Sequence, residues 1–292
     1  MHDYIMNCLF TLGLEDCTSV DNPMIEPIDG DSAPLNARDT QLFLTGVGAA
    51  GWLQSTCRPD ISYPQSRCAQ HQASPNASAM EAIKRIFRYL KGTSDLGLRS
   101  QNHPPERGLN LLPQHPDLNF GWGFYVDSDF AGNSEKQNRR RSQIGFIALL
   151  NGAPVAWFSK VSSVSFASTE IGEAHADMSS GAAEVYAAGN ASVELMHLPY
   201  VADELGIDCP RPMYLQMDNT AAQCFAEKTA FKTKLKHIDA RQEWVRTLRN
   251  KDLLLPIHVA SEFNLADLFT KILSTTIFKK LRDQIMHRIP SQ

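Results

Sequence analysis

Tyr125-Val126-Asp127-Ser128-Asp129-Phe130-Ala131-Gly132 is the stretch on which the reading of this chain turns. It closes an aromatic-rich run, Phe120 to Phe130, with the composition of a β-strand, and it carries two carboxylates just before a glycine. Downstream, Ile144 to Leu150 and Val155 to Phe158 are strand-like runs flanking Asn151-Gly152, a dipeptide suited to a two-residue hairpin. An alanine-rich helical stretch follows from Gly172 to Asn190, then a second one ending near Gly206. Met213 to Met217 reads as a short strand, Asn219 to Glu227 as a helix and Leu253 to Val259 as a last strand, with another helix from Asn264. The order β-β-β-α-β-α-β-α predicts an α/β fold: a mixed five-stranded sheet with helices on both faces.

Upstream, residues 101–117 are polar and contain Pro104-Pro105, which suits a linker between a domain at 118–280 and a smaller, mostly helical module at 1–100; residues 281–292 read as a tail. In the first module the segment around Pro23, Pro27 and Pro34 reads as an extended connection. Ile83, Ile86, Phe87 and Leu90 recur at helical spacing behind Ser78-Ala79-Met80-Glu81, which has capping-box spacing, and Gly92 stands where a C-terminal cap would be. Lys84, Arg85, Arg88 and Lys91 lie off the apolar stripe, suiting a solvated face and phosphate contact equally.

Composition narrows the classes. At 292 residues with 43% hydrophobic content, the chain can bury a core, which excludes global disorder. No run of 18 apolar residues exists, so no membrane span is expected. The opening lacks the features of a signal peptide, and the six cysteines form no C-x-x-C pair, so reduced thiols and an intracellular setting, cytoplasm or nucleus and not secreted, are expected. A net charge of −4 provides no overall field for gripping nucleic acid. Any such contact must come from local patches, the candidates being Arg139-Arg140-Arg141 and the cluster Lys228, Lys232, Lys234 and Lys236; each suits a solvated loop as well.

Four carboxylates fall at element ends: Asp127 on the first strand, Glu173 opening the long helix, Asp218 ending the fourth strand and Asp267 in the first turn of the last helix. Such ends converge at one edge of an α/β sheet, and converging carboxylates repel one another unless cations neutralise them. Hard oxygen ligands suit Mg²⁺ or Mn²⁺. Taken singly, each has another reading: Asp218 suits a helix N-cap, Asp267 favours a helix dipole, Glu173 with Asp177 suits a solvated helix face, and Asp129 suits a strand-end turn as well as Asp127 suits a ligand.

At these residues the chain resembles the ribonuclease H region of copia-type (Ty1/copia) LTR-retrotransposon polyproteins. Asp127 to Gly132 is similar to D-x-D-x-x-G, and Arg140-Arg141-Ser142-Gln143-Ile144-Gly145 with Leu149-Leu150-Asn151-Gly152 is similar to R-R-S-x-x-G…L-L-N-G. Ser168-Thr169-Glu170 through Glu173-Ala174-His175-Ala176 resembles S-T-E-A-E-x-x-A, with one residue more between the two glutamates. Asp218-Asn219-Thr220-Ala221-Ala222 resembles D-N-x-S-A, Lys236 to Arg241 resembles K-H-I-D-I-R, and Ala266 to Lys271 resembles A-D-I-L-T-K. Thr56 to Tyr63 and Ala82 to Thr93 are similar to the end of the same family's reverse transcriptase region.

The resemblance implies a ribonuclease H-like fold and a metal-dependent endonuclease that cuts the RNA strand of RNA–DNA hybrids. Asp127 would bridge two Mg²⁺ ions, for which Mn²⁺ can substitute; Glu173 and Asp218 would hold the ion on the leaving-group side, and Asp267 would help place the other. Arg139, Arg140, Arg141, Asn219, Lys232, Lys234 and Lys236 would contact the hybrid, and other parts of the polyprotein are the implied partners. The chain contains no Asp-Asp dipeptide, so the polymerase core of the family is missing, implying a truncated polyprotein or a relic. The alternative is a catalytically silent, nucleic-acid-binding or interaction module, favoured by the insertion beside Glu173 and by the missing polymerase core.

Overall fold

The computed structural model describes residues 1–98, 121–129, 141–165, 176–219 and 236–289. In chain order the elements are α1 (His2–Thr11), α2 (Ala37–Thr56), α3 (Ser62–Ala69), α4 (Ala77–Gly92), β1 (Leu96–Gly97), β2 (Trp122–Asp129), β3 (Arg141–Leu150), β4 (Ala153–Ser165), α5 (Ala176–Glu204), β5 (Met213–Met217), α6 (Lys236–Asn250), β6 (Leu254–His258), α7 (Thr275–Ile285) and β7 (His287–Arg288). The described residues of Met1–Arg99 and Lys271–Gln292 form one compact unit, and those of Ser100–Ser134 and Asn138–Thr270 form another. The expected linker at 101–117 lies outside the described residues.

The first unit is built around α4, whose Ile83, Ile86, Phe87 and Leu90 are all fully buried, as their spacing predicts. The cap differs from expectation. Asn76, not Ser78, accepts the Ala79 N–H (2.9 Å), while the Ser78 hydroxyl accepts the Asp29 N–H (2.9 Å). Gly92 is the last helical residue, and a Cβ there would lie 2.8 Å from that of Ser19. Three of the four basic residues of α4 strap the preceding segment to the helix: Lys91 donates to the Cys17 carbonyl (2.8 Å), Arg88 to Thr18 (2.8 Å) and Arg85 to Asn22 (3.0 Å), while Lys84 pairs with Glu81 (2.8 Å). Helix α2 is not legible from periodicity. Three glycines interrupt its pattern, and one of them, Gly46, leaves room for Ile83 of α4, whose Cγ1 would lie 3.0 Å from a Cβ at that position.

Beneath α4 lies a polar network. Arg58 grips Asp60 with two bonds (Nε–Oδ1 2.9 Å, Nη2–Oδ2 2.7 Å), Tyr89 donates to the same carboxylate, and Arg58 also donates to the Thr93 carbonyl (3.0 Å). The two stretches similar to a reverse transcriptase end meet here. The described residues of Lys271–Gln292, a segment that the sequence divides between the second domain and a tail, belong to this unit. Strand β7 pairs antiparallel with β1, and Phe278 of α7 stacks edge-on against Tyr89 (centroids 5.6 Å apart).

The second unit holds the mixed five-stranded sheet that the resemblance implies, in the order β4-β3-β2-β5-β6. Strands β2, β3 and β4 are antiparallel neighbours, and β5 and β6 continue parallel to β2. The β3–β4 turn is Asn151-Gly152, both with positive φ (48° and 78°), the conformation a two-residue hairpin needs. Strand side chains alternate between faces. Phe124, Val126, Ile144, Phe146 and Ala148 pack with Ala183, Ala187, Ala191 and Leu195 of α5 and with Val245 and Leu248 of α6. Helix α5 is one element, with Pro199 inside it, where two were expected.

Against the opposite face of β2 and β3 lies a 3-10 turn, Leu265–Phe269, where the sequence predicts a helix from Asn264. Asn264 explains the difference. Its side chain accepts the Ala266 N–H (3.1 Å) and donates to the Val126 carbonyl (3.2 Å), pinning the segment to β2. Gly145 permits the approach, since a Cβ there would lie 2.6 Å from that of Phe269. No helix among the described residues is long and apolar enough to cross a membrane.

Candidate metal centre

Strands β2 and β5 run parallel side by side, with Phe124 opposite Leu215 and Tyr125 opposite Gln216. Two steps further along, each strand reaches an aspartate: Asp127 within β2 and Asp218 directly after β5. Helix α5 crosses this edge and supplies Glu184. One carboxylate oxygen from each of Asp127, Glu184 and Asp218 lies within 4.8 Å of the others, with Asp127 and Glu184 buried and Asp218 half-buried.

Hydrogen bonds hold two of these groups. Ser128 donates its backbone N–H (3.3 Å) and its hydroxyl (3.0 Å) to one oxygen of Glu184. Thr270, immediately after the 3-10 turn, donates its hydroxyl to Oδ2 of Asp127. Beside them Tyr125 is 2% exposed; burial pushes its phenol up, against a hydrogen bond with Gln216. Three carboxylates so close, two of them out of water, repel one another strongly in a low dielectric. The donor set consists of hard oxygens on rigid elements, and it fits Mg²⁺ or Mn²⁺.

The structure thus brings together Asp127 and Asp218 of the four acids that the sequence singles out. Asp267 is buried within the 3-10 turn and is not part of the group. Glu173 lies outside the described residues, as do Arg139, Arg140, Lys232 and Lys234. Arg141 starts β3, Asn219 follows Asp218, and Lys236 begins α6.

Glu184 escapes the sequence reading, although two signals point to it. It is the one charged residue between Asp177 and Glu194, and its neighbours Ala183, Val185, Ala187 and Ala188 are buried. Ala183-Glu184-Val185-Tyr186-Ala187 also fits the A-E-x-x-A half of the S-T-E-A-E-x-x-A pattern without any inserted residue.

No protein-family model matches the chain. The retrovirus-related Pol polyprotein from transposon RE1 of Arabidopsis thaliana is 31% identical over 246 residues, 84% of this chain. That from transposon RE2 of the same plant is 30% identical over 82% of this chain, and that from transposon TNT 1-94 of Nicotiana tabacum 25% identical over 84%. The chain spans about 15% of the RE1 polyprotein's length. Among solved structures, LC11-RNase H1, isolated from compost by a metagenomic approach, is 14% identical, covers 51% of this chain and 91% of its own, and superposes with a TM-score of 0.29.

Proposed function

The chain belongs to the copia-type, retrovirus-related Pol polyproteins of transposons, and on that footing we propose that its second unit is a metal-dependent endonuclease of ribonuclease H type, cutting the RNA strand of RNA–DNA hybrids. The observation that carries this reading is the convergence of Asp127, Glu184 and Asp218 on one point at the ends of two parallel strands. These three would hold the divalent ions, with Glu184 taking the helix position for which Glu173 was the expectation. The A-E-x-x-A half of the family pattern fits through Glu184 as it stands, which supports Glu184 as the helix acid.

Bound Mg²⁺ or Mn²⁺ would supply an activated water and charge stabilisation for the departing 3′ oxygen. The chain's own contribution is orientation. Ser128 fixes Glu184 through two donors, and rigid β-strands fix the two aspartates. Asp267, three residues before Thr270, is the proposed fourth acid. Selectivity for RNA would rest on 2′-hydroxyl and minor-groove contacts. Arg139, Arg140, Arg141, Asn219, Lys232, Lys234 and Lys236 are proposed to meet the hybrid's backbone. The five free cysteines among the described residues fit a reducing, intracellular setting, and other portions of a longer polyprotein are the proposed partners.

The test uses the purified chain and a hybrid labelled on its RNA strand. Cleavage is expected with Mg²⁺ or Mn²⁺ and none with EDTA. Asp127→Asn, which keeps the shape and removes the charge, should abolish cleavage while melting as a folded protein. A wild type inactive in both metals would overturn the reading.

A further inference from the structure

We infer that Thr270 is a positioning residue for the metal centre: its hydroxyl sets the orientation in which the Asp127 carboxylate faces Glu184 and Asp218. The inference rests on the reading of that centre as a metal-dependent nuclease site.

Thr270 Oγ1 donates to Asp127 Oδ2, and the two residues are 0% and 1% exposed. At that depth bulk water offers no substitute donor. The Ala266 carbonyl is a second acceptor within reach of the hydroxyl, at 3.4 Å. A hydroxyl has one proton, and the closer acceptor is a carboxylate, which makes the stronger bond. A carboxylate also has about four lone-pair sites, so accepting from Thr270 leaves capacity for a cation.

The donor itself is held from several sides. Asn264 ties the turn to β2 through the Val126 carbonyl, one residue before Asp127. Ser159 of β4 donates its hydroxyl to the Phe269 carbonyl (2.6 Å), one residue before Thr270. Directly across the β2–β3 ladder from Asp127 stands Gly145. A Cβ at that position would come within 2.8 Å of Thr270 Cγ2 and 3.2 Å of the Ala266 carbonyl, so any side chain there lifts the turn. The absence of a side chain at Gly145 and the hydroxyl of Thr270 are thus two parts of one device. Both lie in the motif stretches, at positions to which the chemistry itself assigns no role.

The test measures Mn²⁺ binding to the full chain by electron paramagnetic resonance, with hybrid cleavage and melting in EDTA alongside. Thr270→Val keeps the shape and removes the donor. It should weaken Mn²⁺ binding on the order of tenfold and lower cleavage by a similar factor. Thr270→Ser restores the donor and should bring both back to within about threefold of wild type on that same scale. If Thr270→Val does not fold, Thr270→Ala, which cannot overpack the site, is measured in its place. Unchanged Mn²⁺ affinity and cleavage without the hydroxyl overturn the inference, as does a Thr270→Ser variant as impaired as Thr270→Val, since packing would then be the cause. A wild type that neither binds Mn²⁺ nor cuts hybrid overturns the nuclease reading itself. Positioning is then decided by crystal structures of wild type and Thr270→Val, where an Asp127 carboxylate in the same rotamer in both overturns it and a turned one supports it.

Discussion

Ser128 donates twice to a single oxygen of Glu184, from its backbone N–H at 3.3 Å and its hydroxyl at 3.0 Å. A strand residue next to Asp127 therefore anchors the acid of the crossing helix. A glutamine can accept the same two bonds but brings no charge. Glu184→Gln should keep the fold and reduce hybrid cleavage at least 100-fold, on the order of what ligand loss costs metal-centred catalysis. Glu173→Gln should cut like wild type. Cleavage assays on the two variants separate the assignments, and activity in Glu184→Gln together with loss in Glu173→Gln would reverse them.

Metal should also be visible in stability. Without cations the three acids repel one another; with them, binding to the folded state alone stabilises it by mass action. Saturating Mg²⁺, at about 100 times its dissociation constant, should add about 2.7 kcal/mol. Asp218→Asn relieves repulsion while removing a ligand. It should melt at or above wild type in EDTA and below it in Mg²⁺, and a thermal shift of the same size in both proteins would exclude Asp218 from the site.

The first unit depends on its buried ion pair. Burial pulls the Arg58 guanidinium down, and the Asp60 carboxylate more than offsets this and raises it. Arg58→Met leaves Asp60 charged and unmatched in a dry interior and should cost about 3–5 kcal/mol. Tyr89→Phe removes one donor to the same carboxylate and should cost about 1.5–3 kcal/mol. Urea unfolding is the check, and a change within about 0.5 kcal/mol, the scatter of ordinary surface substitutions, would contradict the role given to the pair.

Residues 100–270 are proposed to fold on their own, and a fragment cut at 118–280 should behave worse. The latter carries part of α7, whose Phe278 packs in the first unit and would lie bare in the fragment. Cooperative melting of 100–270 together with aggregation of 118–280 is expected. A molten 100–270 would show that the second unit borrows core from elsewhere.

The sequence makes much of this legible where the signal is local. Asn151-Gly152 marks its hairpin because two positive φ angles in succession favour those residue types, and Met213–Met217 is bounded as read. Asp127 and Asp218 stand out because polar residues ending apolar strands are conspicuous. Glu184 does not, because a residue deep in an alanine-rich helix gains its meaning from what crosses it, here β2. Helix α2 is hidden because two of its three glycines, Gly46 and Gly51, serve close contact with neighbours rather than propensity. The end of the chain reads as a tail because two-residue strands such as β7 have no periodicity; pairing with β1, far away in sequence, defines them.

That pairing bears on the order in which a ribosome would release the parts. Residues 96 and 97 wait for 287 and 288, and everything between them in the second unit emerges first. Domains made on ribosomes usually fold from the N-terminal end, whereas here the later-starting unit has all its residues before the earlier one does. Until Lys271–Gln292 appears, Tyr89 lacks its partner Phe278, and helix α4 has an uncovered flank. Premature termination between Thr270 and Thr275 would spare the unit that carries the three acids and leave the other without α7 and β7.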